Sequence, residues 1–251
     1  MANASAAGHG LDVLALLARR GEPLPAATIA RELGLPRSSV YHLLTVLASR
    51  GFVRHLAEER RYGLGVAAYE LGSAYQRQAP LQRAARRVVD RLVDGTGHNA
   101  HLAVLHGRDV LYVIEQRAPG APHLVSDVGV RLPATLTATG LAMLARLPAA
   151  QVRALYPGRD AFVQRAGRGP TSLVALRREL QATRTRGYAV EDGLVTPGLT
   201  SVASAVLDHN GYPVAGLAVT CPAHPAPQIG TLVDAVRTGA QEVSRRIHGR
   251  S

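Results

Sequence analysis

Between Arg37 and Thr45 the chain places Ser38, Ser39, Tyr41 and His42, a run of guanidinium, hydroxyl, phenol and imidazole groups with no carboxylate among them. Such side chains hydrogen-bond to base edges in a major groove, and a guanidinium at the first turn of a helix clamps a phosphate. The same stretch carries Val40, Leu43, Leu44 and Leu47 at i, i+3, i+4 and i+7, the spacing of one buried helical stripe. A helix from Pro36 to Arg50 therefore hides its leucines and offers Ser38, His42, Thr45 and Ser49, with Tyr41 on the flank. That is the chemistry of a helix that reads a duplex.

The elements that must position this helix are legible on both sides. Ala26, Ile29, Ala30 and Leu33 make a shorter amphipathic helix that stops at Gly34, and Pro36 restarts a helix two residues on, where its missing N–H costs nothing. Downstream of Gly51, the runs Phe52 to Leu56 and Arg61 to Leu64 flank the charged tip Ala57-Glu58-Glu59-Arg60, the pattern of a hairpin that brings Arg60 toward a phosphate. A first helix from Gly10 to Arg20, with Leu11, Leu14, Ala15 and Ala18 on one face, completes a small core. Residues 1–64 thus read as a winged helix-turn-helix. A plain helical bundle would share the helix pattern, but has no use for Gly34-Leu35-Pro36 or the hairpin.

The chain has 251 residues, 47% of them hydrophobic and 19% charged, enough for two packed domains and too apolar for a disordered chain. A single cysteine, Cys221, excludes an intrachain disulfide framework and a cysteine zinc site. No apolar run approaches the ~20 residues of a membrane span, and the N-terminus lacks a signal pattern, so a cytoplasmic protein with no membrane partner is expected. The net charge of +11 suits a polyanion, but up to Arg77 there are 9 Arg against 6 acids, while the remainder has 20 against 12. Charge alone does not locate a nucleic-acid site. No residue set builds an enzyme: there is no G-x-S-x-G elbow and no P-loop, and His98 and His101 fall on opposite faces of an extended run. Neither a metal nor a cofactor is expected.

Beyond the hairpin, residues 65–80 read as a linker helix weakened by Gly72, and residues 81–251 as a larger domain. A helix from Leu81 to Asp94 buries Leu81, Ala84, Ala85, Val88 and Leu92. Strands are expected at Ala100–Leu105, Val110–Glu115, His123–Asp127, Ser201–Leu207 and Val214–Thr220. Helices are expected at Ala138–Leu147, Gln151–Leu155, Leu173–Arg186 after a Ser172 cap, and Ile229–Ile247. Strands and helices interleave without a regular βαβ beat, so the fold class is α+β with one antiparallel sheet.

Taken in order, GLPRSSVYHLL, RGFV, RYGLG, LGSAY, TGHNAHLAVLHGRDVLYV, RLPATLTATGLAMLA, RRELQATRTRGYAVEDG and PGLTSVASAVLDHNGYPVAGLAV resemble the IclR family of bacterial transcriptional regulators, from about Leu11 to Ile247. The resemblance implies a winged helix-turn-helix, a linker helix and a GAF-like effector domain, acting as a homodimer or homotetramer on a palindromic operator in double-stranded DNA. It also implies a small-molecule cradle. Backbone N–H groups of Ala138, Thr139 and Gly140 would face a carboxylate effector, with Glu191, Ser201, Ala218 and Thr220 around it. Ser201 and Thr220 could equally be ordinary strand residues, and His101, on the face of its strand opposite Leu102, either reaches the ligand or faces water. Relatives often carry Arg where this chain has His42, Cys where it has Ser201, and Ser at the positions of Ala218 and Thr220. A ligand-responsive repressor is the expected function. An activator of the same family, or a small-molecule-binding or enzymatic domain with an N-terminal protein-interaction module, are the alternatives.

Overall fold

The structure, a computed structural model, describes residues 5–78, 80–122, 124, 126–165, 167–223 and 229–247. It divides into two compact units, Met1–Ala79 and Pro80–Ser251.

The first unit contains α1 (Ala6–Arg20), α2 (Ala26–Leu33), α3 (Arg37–Ser49), a hairpin of β1 (Val53–Leu56) and β2 (Arg61–Leu64), and α4 (Val66–Gln78). Ser5 caps α1 through a bond from the Gly8 N–H to its hydroxyl, which starts the helix earlier than expected. Its buried face also differs. Gly10, Val13, Leu16 and Leu17 turn inward while Leu11 is 67% exposed and Ala15 and Ala18 face solvent. Two apolar stripes run along LDVLALLA, and the one with three bulky side chains removes more apolar surface from water. Val13, Leu16, Leu17, Ile29, Val40, Leu43, Leu44 and Val53 form one core.

Gly34 ends α2 at φ 64, a left-handed conformation that glycine adopts without strain. Gly51, at φ 74, turns the chain out of α3, and Gly65 returns so close that a Cβ there would lie 2.1 Å from the Gly51 carbonyl oxygen. The two glycines let the hairpin fold back onto the end of α3. Leu24 and Tyr62 exchange backbone hydrogen bonds at 2.9 and 2.8 Å, pinning the hairpin to the segment before α2.

The second unit is a six-stranded antiparallel sheet in the order β5-β4-β3-β8-β7-β6. Its strands are β3 (Asn99–His106), β4 (Asp109–Gln116), β5 (Arg131–Pro133), β6 (Ala189–Asp192), β7 (Leu199–Leu207) and β8 (Pro213–Pro222). α5 (Pro80–Thr96) and α9 (Ile229–Ile247) cover one face through Val88, Leu92, Leu232, Val236, Ala240 and Val243. α6 (Ala138–Leu144), α7 (Ala149–Leu155) and α8 (Leu173–Arg186) lie on the other, packed on Ala103, Tyr112, Ala189, Ala203 and Ala218. Alternate residues of each strand serve the two cores.

One expected strand, His123–Asp127, is not seen among the described residues. His123 and Val125 lie outside the described residues, and Leu124, Ser126 and Asp127 take no strand pairing. The Asn99 side chain instead donates to the Pro122 carbonyl at 2.9 Å and accepts from the Ala118 N–H at 2.9 Å, drawing this segment over the sheet end, and the edge strand forms later, as β5. β6 was not anticipated from the sequence.

Candidate DNA interface and effector cavity

On α3, Val40, Leu43 and Leu44 are buried, and Arg37, Ser38, Ser39, Tyr41, His42, Thr45 and Ser49 are exposed. Tyr41 leaves 53% of its surface open to solvent. Thr45 donates its hydroxyl to the Tyr41 carbonyl at 2.9 Å and Ser49 to that of Val46 at 2.8 Å, so both retain only acceptor capacity for a partner. Arg37 and His42 make no ion pair among the described residues. Arg60 sits at the hairpin tip with φ 51, the one non-glycine residue of positive φ among those described, and its exposed guanidinium is also unpaired. Arg54, on the exposed face of β1, adds a cation that motif reading passed over. The helix thus presents a row of exposed polar groups, Arg37, Tyr41 and His42 unpaired among the described residues, next to a hairpin tipped by a cation.

The second candidate site is a small cavity at the sheet end where β3 and β7 begin and β8 and β6 finish. Its walls come from His101, Tyr112, Leu124, Ser126, Thr137, Ala138, Glu191, Val195, Thr196, Leu199, Ser201 and Thr220. Strand register assembles it: Ser201 lies opposite both Glu191 and Thr220, and His101 opposite Ala218. The Ser201 and Thr220 hydroxyls are 2.9 Å apart. Glu191 is buried and accepts from the N–H groups of Leu194 and of Val195, the latter at 3.0 Å. Burial pushes its carboxyl above the usual carboxylate range, while those N–H groups and the Ser201 hydroxyl work against the rise. His101 is 3% exposed, its ring meets Tyr112 edge-on at 5.1 Å, and its Nδ1 has no partner. Burial lowers the imidazole from 6.5 to about 4, and the same cause raises the Tyr112 phenol.

Of the expected cradle, His101, Ala138, Glu191, Ser201 and Thr220 reach this cavity, and three residues do not. The Gly140 N–H is taken by the Thr137 hydroxyl at 3.0 Å, an N-cap, so it does not face a ligand. Gly140 serves packing, since a Cβ there would meet the Ala134 carbonyl oxygen at 2.1 Å. Thr139 backs onto β8, where a Cβ at Gly216 would lie 2.7 Å from its carbonyl oxygen. Ala218 is covered by α6 rather than exposed to the cavity. Sequence reasoning missed Tyr112, Ser126, Thr137, Leu124, Val195, Thr196 and Leu199. Only Tyr112 left a signal, being a polar aromatic in an apolar β run.

Residues 6–57 match the family model described as IclR helix-turn-helix domain, and residues 73–245 the one described as bacterial transcriptional regulator IclR C-terminal. The chain is 32% identical over 237 residues to the glycerol operon regulatory protein of Streptomyces coelicolor, covering 93% of this chain and 92% of that protein. It is 27% identical over 218 residues to the transcriptional repressor IclR of Escherichia coli, covering 85% and 78%. An IclR homolog of Microbacterium hydrocarbonoxydans, crystallised with 4-hydroxybenzoate, shares the fold at a TM-score of 0.83 with 22% identity, over 97% of this chain and 99% of that one.

Proposed function

The chain belongs to the IclR family of bacterial transcriptional regulators, and from that premise we propose a repressor that grips a palindromic operator as a homodimer or homotetramer and changes its grip when a small organic acid enters the sheet-end cavity. It is a DNA-binding regulator rather than an enzyme. The observation that carries the reading is the exposed row on α3: Val40, Leu43 and Leu44 are buried with Leu47 packed partly against them, and the guanidinium, imidazole and phenol are without partners among the described residues. Arg37 and Arg60 hold phosphates, while Ser38, Ser39, Tyr41, His42 and Thr45 face base edges.

Self-association is supported by exposed apolar side chains of the first unit: Leu11, Val66, Tyr69 and Leu71 each leave 64 to 75% of their surface uncovered. An effector in the cavity is supported by its buried polar groups and by the His101 ring nitrogen that lacks a partner. The relative bound to 4-hydroxybenzoate supports an acid as the class. The cavity is about 20 Å³, little more than one water needs, so the ligand must enlarge it. The loop of residues 193–198 lines it and has glycines at both ends, Gly193 at φ 65 and Gly198 at φ 80, backbone states that accommodate a hinge. An effector alters operator affinity only by binding two arrangements of the protein unequally. Measuring operator affinity with and without a bound effector tests the reading, and unchanged affinity for every tightly bound ligand would refute ligand control.

A further inference from the structure

The cavity poses an electrostatic problem to the acid proposed to occupy it. Among the described residues its ionisable walls are Glu191, Tyr112 and His101, with no arginine. Across the β3–β4 register from His101 stands Glu115, whose Oε1 accepts from the Arg117 guanidinium at 2.7 Å, a group that also lies 3.6 Å from Asp127, and whose Oε2 is buried without a partner among the described residues. β8 offers Ala218 opposite the imidazole and the Thr220 hydroxyl beyond it, β7 the hydroxyl of Ser201, the N-cap of α6 that of Thr137, and Ser126 adds another. The first turn of α6 cannot supply the missing charge through Gly140, whose N–H is already bonded to Thr137. An incoming carboxylate would meet the buried carboxyl of Glu191 with no cation among the described walls to balance either, since the Arg117 guanidinium nearby is already paired with Glu115. In a site this dry, such a charge excess is not sustained.

We propose that His101 reads the charge of the effector: the acid enters as its carboxylate together with one proton from solvent, which settles on the imidazole, and the resulting imidazolium donates to the bound carboxylate. The step breaks no covalent bond of the ligand and leaves no net charge in the cavity beyond that already there. No hydrogen bond from a described residue holds the His101 ring, and its buried Nδ1 is without a partner, so the imidazole is open to protonation. Without ligand the imidazole is neutral at physiological pH, held at about 4 by burial, so the proton must be acquired on binding. The residue selects acids over their uncharged amides, since an amide brings no charge with which to raise the imidazole. This inference rests on the cavity being the effector site for an acid.

The test is calorimetric titration of the full-length protein with benzoate, pyruvate and phenylacetate and with their amides, in two buffers of different ionisation heat between about pH 6 and 8. All three acids are already ionised there, so a pH dependence reports on the protein. The expected result is uptake of about one proton per acid, with affinity falling about tenfold per pH unit as pH rises, and no uptake with any amide that binds. In His101→Gln, uptake with the acid is lost. Ring-nitrogen chemical shifts of His101 in the wild-type protein, neutral when free and protonated when loaded, provide a readout that needs no variant. Binding of an acid without proton uptake overturns the inference and leaves the effector site standing. Uptake that persists in His101→Gln, or a neutral ring in the loaded protein, moves the proton elsewhere and overturns the assignment to His101. Failure of every acid to bind overturns the carboxylate reading and this inference with it.

Discussion

Burial of a neutral imidazole makes the second unit acid-sensitive in a way that one substitution removes. The folded protein holds His101 at about 4 against 6.5 when exposed. A proton therefore binds the unfolded chain more readily than the folded one, and the stabilisation is fully present above pH 6.5 and lost as pH falls toward 4. Each pH unit between the two values is worth about 1.4 kcal/mol, which sets a ceiling of about 3 kcal/mol, of which about 2 kcal/mol fall between about pH 7 and 5. His101→Gln keeps a planar polar side chain that does not titrate, and leaves every other histidine in place. Urea unfolding followed by circular dichroism at the two pH values gives the comparison directly. The wild-type protein should lose about 2 kcal/mol more than the variant on acidification, whatever the variant costs at neutral pH. Equal losses would mean that His101 is solvated or already paired, and the reasoning from its burial would fail.

Three further outcomes follow from the same geometry. Arg37→Ala combined with Tyr41→Ala should abolish sequence-specific binding in an anisotropy titration while leaving the melting temperature nearly unchanged, because both side chains are exposed, whereas Leu44→Ala should cost about 2 to 5 kcal/mol in denaturation through the cavity it leaves. Ser201→Ala should destabilise by about 1 to 3 kcal/mol in urea titrations by stranding the Thr220 hydroxyl, and adding Thr220→Val should cost less than the two single changes together. Glu191→Gln should gain stability relative to wild type as pH rises: burial holds the folded carboxyl above 4.5, so the wild-type carboxyl contributes most at acid pH and loses that contribution as pH climbs through its folded value, which thermal melts between about pH 4 and 8 will register.

Local signals carried the first unit. The spacing of Val40, Leu43 and Leu44, the left-handed Gly34, and the two runs around residues 57–60 each act within a few residues, and the structure repeats them almost residue for residue. α1 is the exception, because LDVLALLA offers two apolar faces and only the partner helices decide between them. The second unit was legible as to class and not as to its cavity. Asn99 reaching Pro122, Thr137 capping Gly140, and Gly216 admitting α6 against β8 are contacts between residues distant in the chain or hydrogen bonds that compete with a ligand. The motif LTATGLA shows a helix start but not that its own threonine occupies the N–H expected to face the effector. Glu191, Ser201 and Thr220 were identified from the resemblance, and it took the β6–β7–β8 register to bring them to one place.

The claim on which the account turns is that α3 and the wing recognise a particular duplex sequence. Repeated selection of bound duplexes from a random-sequence library at moderate ionic strength, using the full-length protein, tests it most directly. The account predicts enrichment of a palindromic sequence that the Arg37→Ala, Tyr41→Ala protein fails to enrich. A library that emerges as random as it began, or one enriched equally by that variant, would contradict it.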